Sequence, residues 1–269
     1  RVIDIHQHTN YTGRSDEELI AHQRAMGVTK TVLLPAGSKF GLAAGAGGND
    51  TVVALAKRLP AEYVFFANEL PDIPETRKVI KKYLKAGAIG IGEQKFAVES
   101  DSKFVRNVAA IAAEHRVPVL LHFEYKNYNL NFDHFYRTLD RYPKVNFIGH
   151  AQTWWGNIDK KHDQAVNYPA GPVTPGGITD RLLSDYPNMY GDLSARSGLN
   201  SMLRDEDHAR DFLSRHRTKL MFGSDCNDRN ANGPDCLGSK ILAAVRRLAP
   251  GDEARRLILS GTAERVMRL

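Results

Sequence analysis

The chain has 269 residues, a length that suits one large domain with a sizeable core. Apolar residues make up 42% and charged residues 25%, which is typical of globular proteins. No run of 18 apolar residues occurs, so a membrane span is not expected. The net charge of +6 comes from scattered basic pairs rather than a basic tract, so nucleic-acid binding is not expected either.

The two cysteines, Cys226 and Cys236, are too few for a disulfide framework. They could close one loop in an exported protein or remain free thiols in a cytosol. The chain begins at Arg1 rather than at a methionine, so a leader was removed or the chain was trimmed. The compartment therefore stays open between the cytoplasm and export to the periplasm.

Short β-rich runs alternate with amphipathic stretches along the whole chain. The runs that predict strands are residues 2–8, 30–36, 63–70, 88–96, 118–125, 146–152, 189–195 and 219–226. The stretches that predict helices are residues 16–26, 50–59, 74–86, 102–115, 132–142, 178–186, 205–215 and 237–248. Ser15 and Asn49 are expected N-caps of the first two helices, and Gly27 and Gly87 stand where helix C-caps are expected.

Eight β-α repeats in a chain of this length predict the α/β class and a (β/α)8 TIM barrel that forms a single domain over residues 1–269. Residues 252–269 predict a further helical segment that packs outside the barrel. Residues 154–177, rich in Gly, Pro and Asn, are expected to cover the barrel mouth. Residues 40–48 lack the Gly-Lys-Ser/Thr ending of a phosphate loop and indicate a flexible lid or a plain connector.

Metal-capable side chains stand at the ends of four of the predicted strands. His6 and His8 end the first strand, two residues apart and therefore on one face. His122, His150 and Asp225 end the fifth, sixth and eighth strands. The carboxyl ends of barrel strands meet at one rim, where active sites form. Because imidazoles bind Zn²⁺ and similar ions well, the pattern predicts a metal site at this rim.

Asp225 is placed for two roles at such a site. A carboxylate there can bind the ion, and it can also take a proton from water whose pKa the ion lowers to roughly 7. The alternative for Asp225 is a capping or turn carboxylate before the next loop. The alternative for the whole site is a barrel that binds a metal and a ligand without turnover. His22, in the first predicted helix, is interpreted as an ordinary surface or packing histidine.

These segments resemble those of the amidohydrolase superfamily. The matching segments are Asp4-Ile5-His6-Gln7-His8, Leu120-Leu121-His122, Ile148-Gly149-His150 and Gly223-Ser224-Asp225. The ending Ile258-Leu259-Ser260-Gly261-Thr262-Ala263-Glu264-Arg265-Val266 looks like the C-terminal signature of the branch called amidohydrolase family 2. The resemblance covers nearly the whole chain. It implies a metal-dependent hydrolase or, in some branches, a non-oxidative decarboxylase.

The fourth predicted strand bears on the number of ions. In binuclear members, the resemblance implies a bridging Glu or a carboxylated Lys there, and Glu93 and Lys95 share one face of this strand. We favour Glu93 as the ligand over a carboxylated Lys95. With two ions, His122 and His150 would hold the second one. With one ion, His150 would polarise the substrate carbonyl or orient water, and Glu93 and Lys95 would contact the substrate or each other.

The predicted function is a metal-dependent hydrolase, in which activated water attacks an ester, lactone or amide carbonyl of a small molecule. A decarboxylase and a phosphoesterase of the same superfamily are the alternatives. The expected cofactor is a divalent metal, with Zn preferred and Mn, Fe, Co or Ni open, as one or two ions.

Other residues have expected roles around this centre. Lys95, Trp154, Trp155 and Arg196 are expected to bind the substrate. Loop packing is the alternative for the two tryptophans, and a surface salt bridge is the alternative for Arg196. Asp192, inside the seventh predicted strand, is a candidate to orient a metal ligand. The expected partner is the small-molecule substrate, with no nucleic acid and no membrane, and both a monomer and a homo-oligomer stay open.

Overall fold

A computed structural model describes residues 1–37, 45–231 and 236–269. Within these ranges the strands are β1 Ile3–Gln7, β2 Lys30–Leu33, β3 Tyr63–Phe65, β4 Ile91–Gln94, β5 Val119–His122, β6 Phe147–His150, β7 Met189–Asp192 and β8 Leu220–Met221. Each lies inside a run that the sequence predicts as a strand, so all eight strand predictions are confirmed. Residues 40–44 of the loop interpreted as a lid or connector lie outside the described residues.

Hydrogen bonds join the eight parallel strands into a closed barrel. Regular pairing covers β1–β2–β3 and β4 through β8 in chain order. Ala67, just after β3, bridges to Ile91 of β4. The amide of Ile5 in β1 donates to the carbonyl of Phe222, just after β8, at 3.1 Å. The fold is therefore a (β/α)8 TIM barrel of the α/β class, as predicted.

The helices lie between and after the strands. They are α1 Asp16–Ala25, α2 Asn49–Arg58, α3 Thr76–Lys85, α4 Lys103–His115, α5 Tyr136–Arg141, α6 Gln152–Gly156, α7 Ile178–Asp185, α8 Ala195–Leu203, α9 Glu206–Arg215, α10 Leu237–Leu248, α11 Gly251–Arg256 and α12 Thr262–Met267. Seven of the eight predicted helices match within two residues at each end. The eighth, residues 132–142, is a 3₁₀ turn at Phe132–His134 followed by α5.

Local sequence signals explain several helix ends. Ser15 caps α1 through a capping box with Glu18, as the sequence predicts. Gly27 and Gly87 follow α1 and α3 with φ values of +80° and +111°, which glycine adopts without a steric penalty. Ser15 and Glu18 mark the beginning of α1, Gly27 marks its end, and Gly87 marks the end of α3. These signals are local and do not depend on the core.

Three local features differ from the predictions. The N-cap of α2 is Gly48, because the side chain of Asn49 exchanges hydrogen bonds with the backbone of Asn68 instead. The short helix α6 begins the segment that was expected to be irregular. Helix α8 has Ser, Gly and Asn inside it, so its propensity is weak. Its position depends on tertiary packing, in which Gly198 lies directly against the carbonyl of Leu193.

The inner wall of the barrel is apolar toward the N-terminal ends of the strands. One buried cluster contains Ile3, Ile5, Val32, Leu34, Phe66, Leu120, Ile148, Tyr190, Met221, Ala263, Val266 and Met267. Successive side chains of a strand point to opposite faces, so residues such as Leu121 and Phe147 face the outside of the barrel. They belong to a larger buried cluster beneath the helices. The tail is helical as predicted, and α12 packs across the barrel floor through its apolar residues. This arrangement leaves the opposite, C-terminal rim to polar side chains.

Among the described residues, no helix is both long and apolar enough to cross a membrane.

Candidate metal centre

The metal-capable side chains from distant strands meet at the C-terminal rim. Three overlapping groups form there, and within each group the ligand atoms all lie within 4.8 Å of one another. The groups are His6 with His150 and Asp225, His6 with His8 and Glu93, and Glu93 with His122 and His150. These are the six residues that the sequence assigned to the metal. All are buried except Asp225, which is partly exposed. The pattern of strand ends therefore identified one real cluster.

Glu93 lies between two pairs of imidazoles. Its Oε2 atom is 3.3 Å from Nε2 of His6 and 3.5 Å from Nε2 of His8. Its Oε1 atom is 2.7 Å from Nδ1 of His122 and 3.7 Å from Nε2 of His150. Each oxygen of one carboxylate thus faces its own pair of nitrogen donors.

Asp225 faces the same nitrogen atoms from the opposite wall. Its Oδ1 atom is 3.3 Å from Nε2 of His8, and its Oδ2 atom is 3.4 Å from Nε2 of His150. The hydroxyl of Tyr11 donates to Oδ1 at 3.0 Å. The backbone amide of Asp225 donates to the carbonyl of His6 at 2.8 Å, which ties the loop after β8 to β1.

The outer ring nitrogens of three histidines are hydrogen-bonded, which fixes their tautomers. Nδ1 of His6 donates to Oδ2 of Asp192 at 2.7 Å, and Nδ1 of His8 donates to the carbonyl of Leu34 at 2.7 Å. Nδ1 of His150 lies 3.0 Å from Oγ of Ser194, which donates its own hydrogen to Oδ2 of Asp192 and therefore accepts from the ring. Because these partners accept, each Nδ1 carries a proton. Each ring, when it is neutral, therefore turns the lone pair of Nε2 to the centre.

Two of these inner nitrogens have no hydrogen-bond partner among the described residues. They are Nε2 of His6 and Nε2 of His150, and both are buried. A buried polar atom without a partner is costly in a folded protein. Unprotonated imidazole nitrogens next to carboxylate oxygens are the donor set that Zn²⁺ and similar divalent ions prefer. The residues present therefore fit a metal ion.

The negative charge of the carboxylates in the centre also favours a bound cation. Burial disfavours ionisation of Glu93 and Asp225, but the neighbouring histidines outweigh it and hold both pKa values well below their ordinary range. Burial likewise opposes a charged His6, yet the carboxylates of Asp225, Asp192 and Glu93 raise its pKa well above the ordinary value. Asp192 keeps a pKa of about 2, because His6 and His150 offset the cost of burial. Three ionised carboxylates in one buried site require positive charge.

Three further polar residues of the centre were not among the predicted site residues. Ser194 places its Oγ 2.8 Å from Oδ2 of Asp192 and 3.0 Å from Nδ1 of His150. Tyr11 bonds Asp225, and Glu124 lies 3.0 Å from Nε2 of His122. All three lie within a few residues of a strand end, and this position is the signal that could have identified them.

A cavity of about 330 Å³ opens over the centre. Its lining includes Lys95 and Arg196, two of the four residues expected to bind substrate. Tyr168 also lines it, and the guanidinium of Arg196 stacks 4.5 Å from the centre of this ring. Tyr168 belongs to the loop 154–177, so part of that loop does lie at the barrel mouth. Cationic side chains at the cavity wall suit an anionic small molecule.

The two tryptophans lie elsewhere, and the structure corrects their expected role as a substrate wall. Trp154 is fully buried and fills the space left by Gly149, where a Cβ atom would lie 2.4 Å from its ring. Trp155 is also buried and donates its Nε1 hydrogen to the carbonyl of Asp192 at 2.8 Å. Both lie within α6, which turns them away from the cavity and into the core beneath the helices.

A family model described as amidohydrolase matches residues 3–269 of the chain. The chain belongs to the amidohydrolase family. It is therefore an enzyme of this superfamily, whose members are generally metal-dependent, and the ligand groups described above could hold such a metal. A search of the curated proteins finds no significant sequence match for this amidohydrolase.

Several solved structures share the fold of this amidohydrolase at low sequence identity. An uncharacterized TIM-barrel protein from Bordetella bronchiseptica has a TM-score of 0.70 and 17% identity, over 99% of this chain and 98% of that one. A probable 2-pyrone-4,6-dicarboxylic acid hydrolase from Acinetobacter baumannii has a TM-score of 0.66 and 14% identity, over 100% and 99%. A 5-carboxyvanillate decarboxylase from Sphingomonas paucimobilis has a TM-score of 0.62 and 13% identity, over 97% and 85%.

Proposed function

We propose that this amidohydrolase hydrolyses an ester, lactone or amide bond in a small molecule that carries a carboxylate. The observation that carries the proposal is the position of Glu93, whose two oxygens face two separate pairs of imidazoles. One carboxylate shared between two nitrogen pairs suits two divalent ions, an arrangement common in metal-dependent hydrolases.

The six clustered residues divide into two ligand sets around Glu93. His6 and His8 would hold one ion, and His122 and His150 would hold the other. Divalent ions bound there supply Lewis acidity and a water that is nucleophilic at neutral pH. Zn²⁺ is the ion we propose, because the donor set is mainly imidazole, although Mn, Fe, Co and Ni also accept such ligands.

Asp225 is the proposed general base. Its carboxylate stays ionised, because the neighbouring histidines outweigh burial and hold its pKa well below the ordinary value. It is the one partly exposed ligand of the cluster, and it also lines the cavity where a substrate would bind. Asp225 would take a proton from the attacking water and pass it to the leaving group. The hydroxyl of Tyr11 keeps Oδ1 in place during this transfer.

Lys95 and Arg196 are proposed to bind the substrate carboxylate. Both line the cavity, and their stacking against Tyr128 and Tyr168 holds them at its wall. The guanidinium of Arg196 and the ammonium group of Lys95 provide the positive charge and the hydrogen-bond donors that bind a carboxylate.

A decarboxylase is the second candidate, and the same cationic side chains favour it. A carboxylated aromatic acid would satisfy Lys95 and Arg196 as well as a carboxylated lactone does. The 5-carboxyvanillate decarboxylase shares this fold, and so does the probable 2-pyrone-4,6-dicarboxylic acid hydrolase. The number of bound ions and the product separate the two functions.

The test is a product assay with protein stripped by a chelator and reloaded with Zn²⁺ or Mn²⁺. Lactones, esters and amides with and without a carboxylate are compared with aromatic acids, and hydrolysis products and CO₂ are both measured. We expect hydrolysis by the wild type and a loss of roughly 10²–10⁴-fold in Asp225→Asn. The exposed Asp252→Asn is the control. CO₂ release without hydrolysis would reject the hydrolase, and full activity of Asp225→Asn would reject its role as base.

A further inference from the structure

A second cluster of metal-capable side chains lies behind the active centre. It consists of His22 on α1, Cys226 immediately after Asp225, and Cys236 at the N-cap of α10. All three are buried, both cysteines are free thiols, and their ligand atoms lie within 4.8 Å of one another. His22 is buried, which agrees with its interpretation as a packing histidine, and both cysteines lie beside its imidazole.

We propose that His22, Cys226 and Cys236 form a binding site for a thiophilic metal ion such as Zn²⁺, separate from the catalytic centre. The spacing of the three atoms supports this. Sγ of Cys236 lies 3.4 Å from Nε2 of His22, and Sγ of Cys226 lies 3.6 Å from it. Tetrahedral bonds of about 2.3 Å to sulfur and about 2.0–2.1 Å to nitrogen place such atoms about 3.5 Å apart.

The ring of His22 is held in the tautomer that a ligand needs. Its Nδ1 atom lies 2.9 Å from Oε1 of Gln23. The amide nitrogen of Gln23 donates to Asp4 and Thr31, which fixes its oxygen as the acceptor toward His22. Nδ1 of His22 therefore carries the proton, and the lone pair of Nε2 is turned to the two sulfurs.

Both sulfur atoms accept N–H groups. In the ion-free site, the hydrogen bond with Cys226 and burial still raise the pKa of the Cys236 thiol to about 12, so an ion that binds there displaces its proton. The side-chain amide of Gln7 donates to Sγ of Cys226 at 3.5 Å. The backbone amide of Ser239 donates to Sγ of Cys236 at 3.5 Å, at the N-terminus of α10. Helix N-termini and N–H donors stabilise thiolates, and the thiolate is the form that binds metal.

The charges around this site balance when a divalent ion is bound. Arg14 is almost fully buried; burial lowers the pKa of its guanidinium, and negative charge on Cys226 and Asp4 partly offsets this. Two thiolates and one divalent ion cancel, and the Arg14 guanidinium cancels the Asp4 carboxylate. Buried charges are tolerated when they are paired in this way. The site would also tie α1 and α10 to the loop that carries Asp225.

The softness of the ligands separates this site from the catalytic centre. The catalytic cluster offers imidazole and carboxylate, whereas this one offers sulfur, which selects zinc and other thiophilic ions. The inference does not rest on the proposed hydrolase activity, because a structural ion here would bind whatever reaction the enzyme performs.

The test is the absorption spectrum of reduced, chelator-treated protein as Co²⁺ alone is added. We expect a near-ultraviolet thiolate-to-cobalt charge-transfer band in the wild type, which imidazole and carboxylate ligands cannot produce. His8→Ala, a catalytic-centre variant, should keep the band, and Cys236→Ser should lose it and one equivalent of bound ion. Thermal unfolding with Zn²⁺ should shift upward less in Cys236→Ser than in the wild type.

Two outcomes would overturn this proposal. The first is Co²⁺ uptake by the folded wild type without the charge-transfer band, which needs no variant to interpret. The second is a Cys226–Cys236 disulfide that persists in the presence of reductant, detected as a mass lower by two hydrogens. If the wild type shows the thiolate-to-cobalt band but hydrolyses no substrate, the result counts against the proposed function and not against this metal site.

Discussion

Oδ2 of Asp192 lies 2.7 Å from Nδ1 of His6, and this contact decides which nitrogen of His6 faces the catalytic centre. A carboxylate can only accept, so Nδ1 holds the proton and Nε2 keeps its lone pair. Both residues are fully buried, so water cannot replace the partner. Such an outer carboxylate sets both the orientation and the basicity of a ligand.

Asp192→Asn should weaken metal binding without removing a ligand. The amide can donate to Nδ1 of His6, which favours the tautomer that carries its proton on Nε2. We expect the affinity for Mn²⁺ to fall about 10–100-fold, measured by titration calorimetry. The exposed Asp252→Asn should bind as the wild type does. Equal affinities in the two variants would show that Asp192 does not orient His6.

Glu93→Gln should change the number of bound ions. The substitution keeps the shape of the side chain, but it removes the charge and leaves one oxygen to serve two pairs of imidazoles. We expect the number of Mn²⁺ ions per chain to fall from two to one or none, by equilibrium dialysis with elemental analysis. Glu99→Gln, in the exposed segment after β4, is the matched control. An unchanged count in Glu93→Gln would leave Glu93 without a ligand role.

Arg196→Ala should affect substrates according to their charge. Loss of a charged hydrogen bond to a carboxylate costs about 1.5–3 kcal/mol, which is roughly a 10–100-fold rise in KM. Substrates without the carboxylate should be nearly unaffected. The measurement is steady-state kinetics on a matched pair of substrates, with the exposed Arg181→Ala as control. A similar rise for both substrates would argue for a packing role against Tyr168.

Asp180 should make stability depend on pH in acid. Burial alone would raise its pKa, but hydrogen bonds from His216 at 2.6 Å and Arg215 at 2.8 Å hold it well below the ordinary value of 3.8. A lowered folded pKa means that this stabilisation is present above the ordinary value and is lost as the pH falls through the folded one. The effect links α7 to the end of α9.

The test is Asp180→Asn, followed by urea unfolding between about pH 7 and pH 2. At about pH 7 we expect the free energy of unfolding to fall by about 1.5–3 kcal/mol, because a charged hydrogen bond is lost. The difference from the wild type should shrink steadily below about pH 4. The exposed Asp207→Asn should show no such convergence, and a constant difference for Asp180→Asn would contradict this account.

The strand order and the clustering of the metal-capable side chains could be predicted because both depend on local spacing. A run such as Val119–His122 carries its apolar parity and its terminal histidine within four residues, and closure of the barrel then brings the ends together. Helix ends were predictable for the same reason where a cap such as Ser15 is local.

The rest depends on tertiary contacts that spacing does not encode. Trp154 follows the His150 strand directly, yet its direction is set by the space above Gly149. Asn49 has the composition of an N-cap, but Asn68 competes for its side chain. His22 lies 204 residues from Cys226 in the chain, so nothing in its neighbourhood indicates that the two meet. At each of these positions, tertiary contacts that the local sequence does not encode decide where the side chain lies.

The central claim is that divalent ions bind among His6, His8, Glu93, His122, His150 and Asp225. Anomalous diffraction from crystals soaked in Mn²⁺ tests it most directly, because Mn²⁺ favours oxygen and nitrogen ligands over the thiolates of the second cluster. The account predicts anomalous peaks on both sides of the Glu93 carboxylate, within bonding distance of the Nε2 atoms of His6 and His8. Ordered side chains with no anomalous peak among them at saturating Mn²⁺ would contradict it.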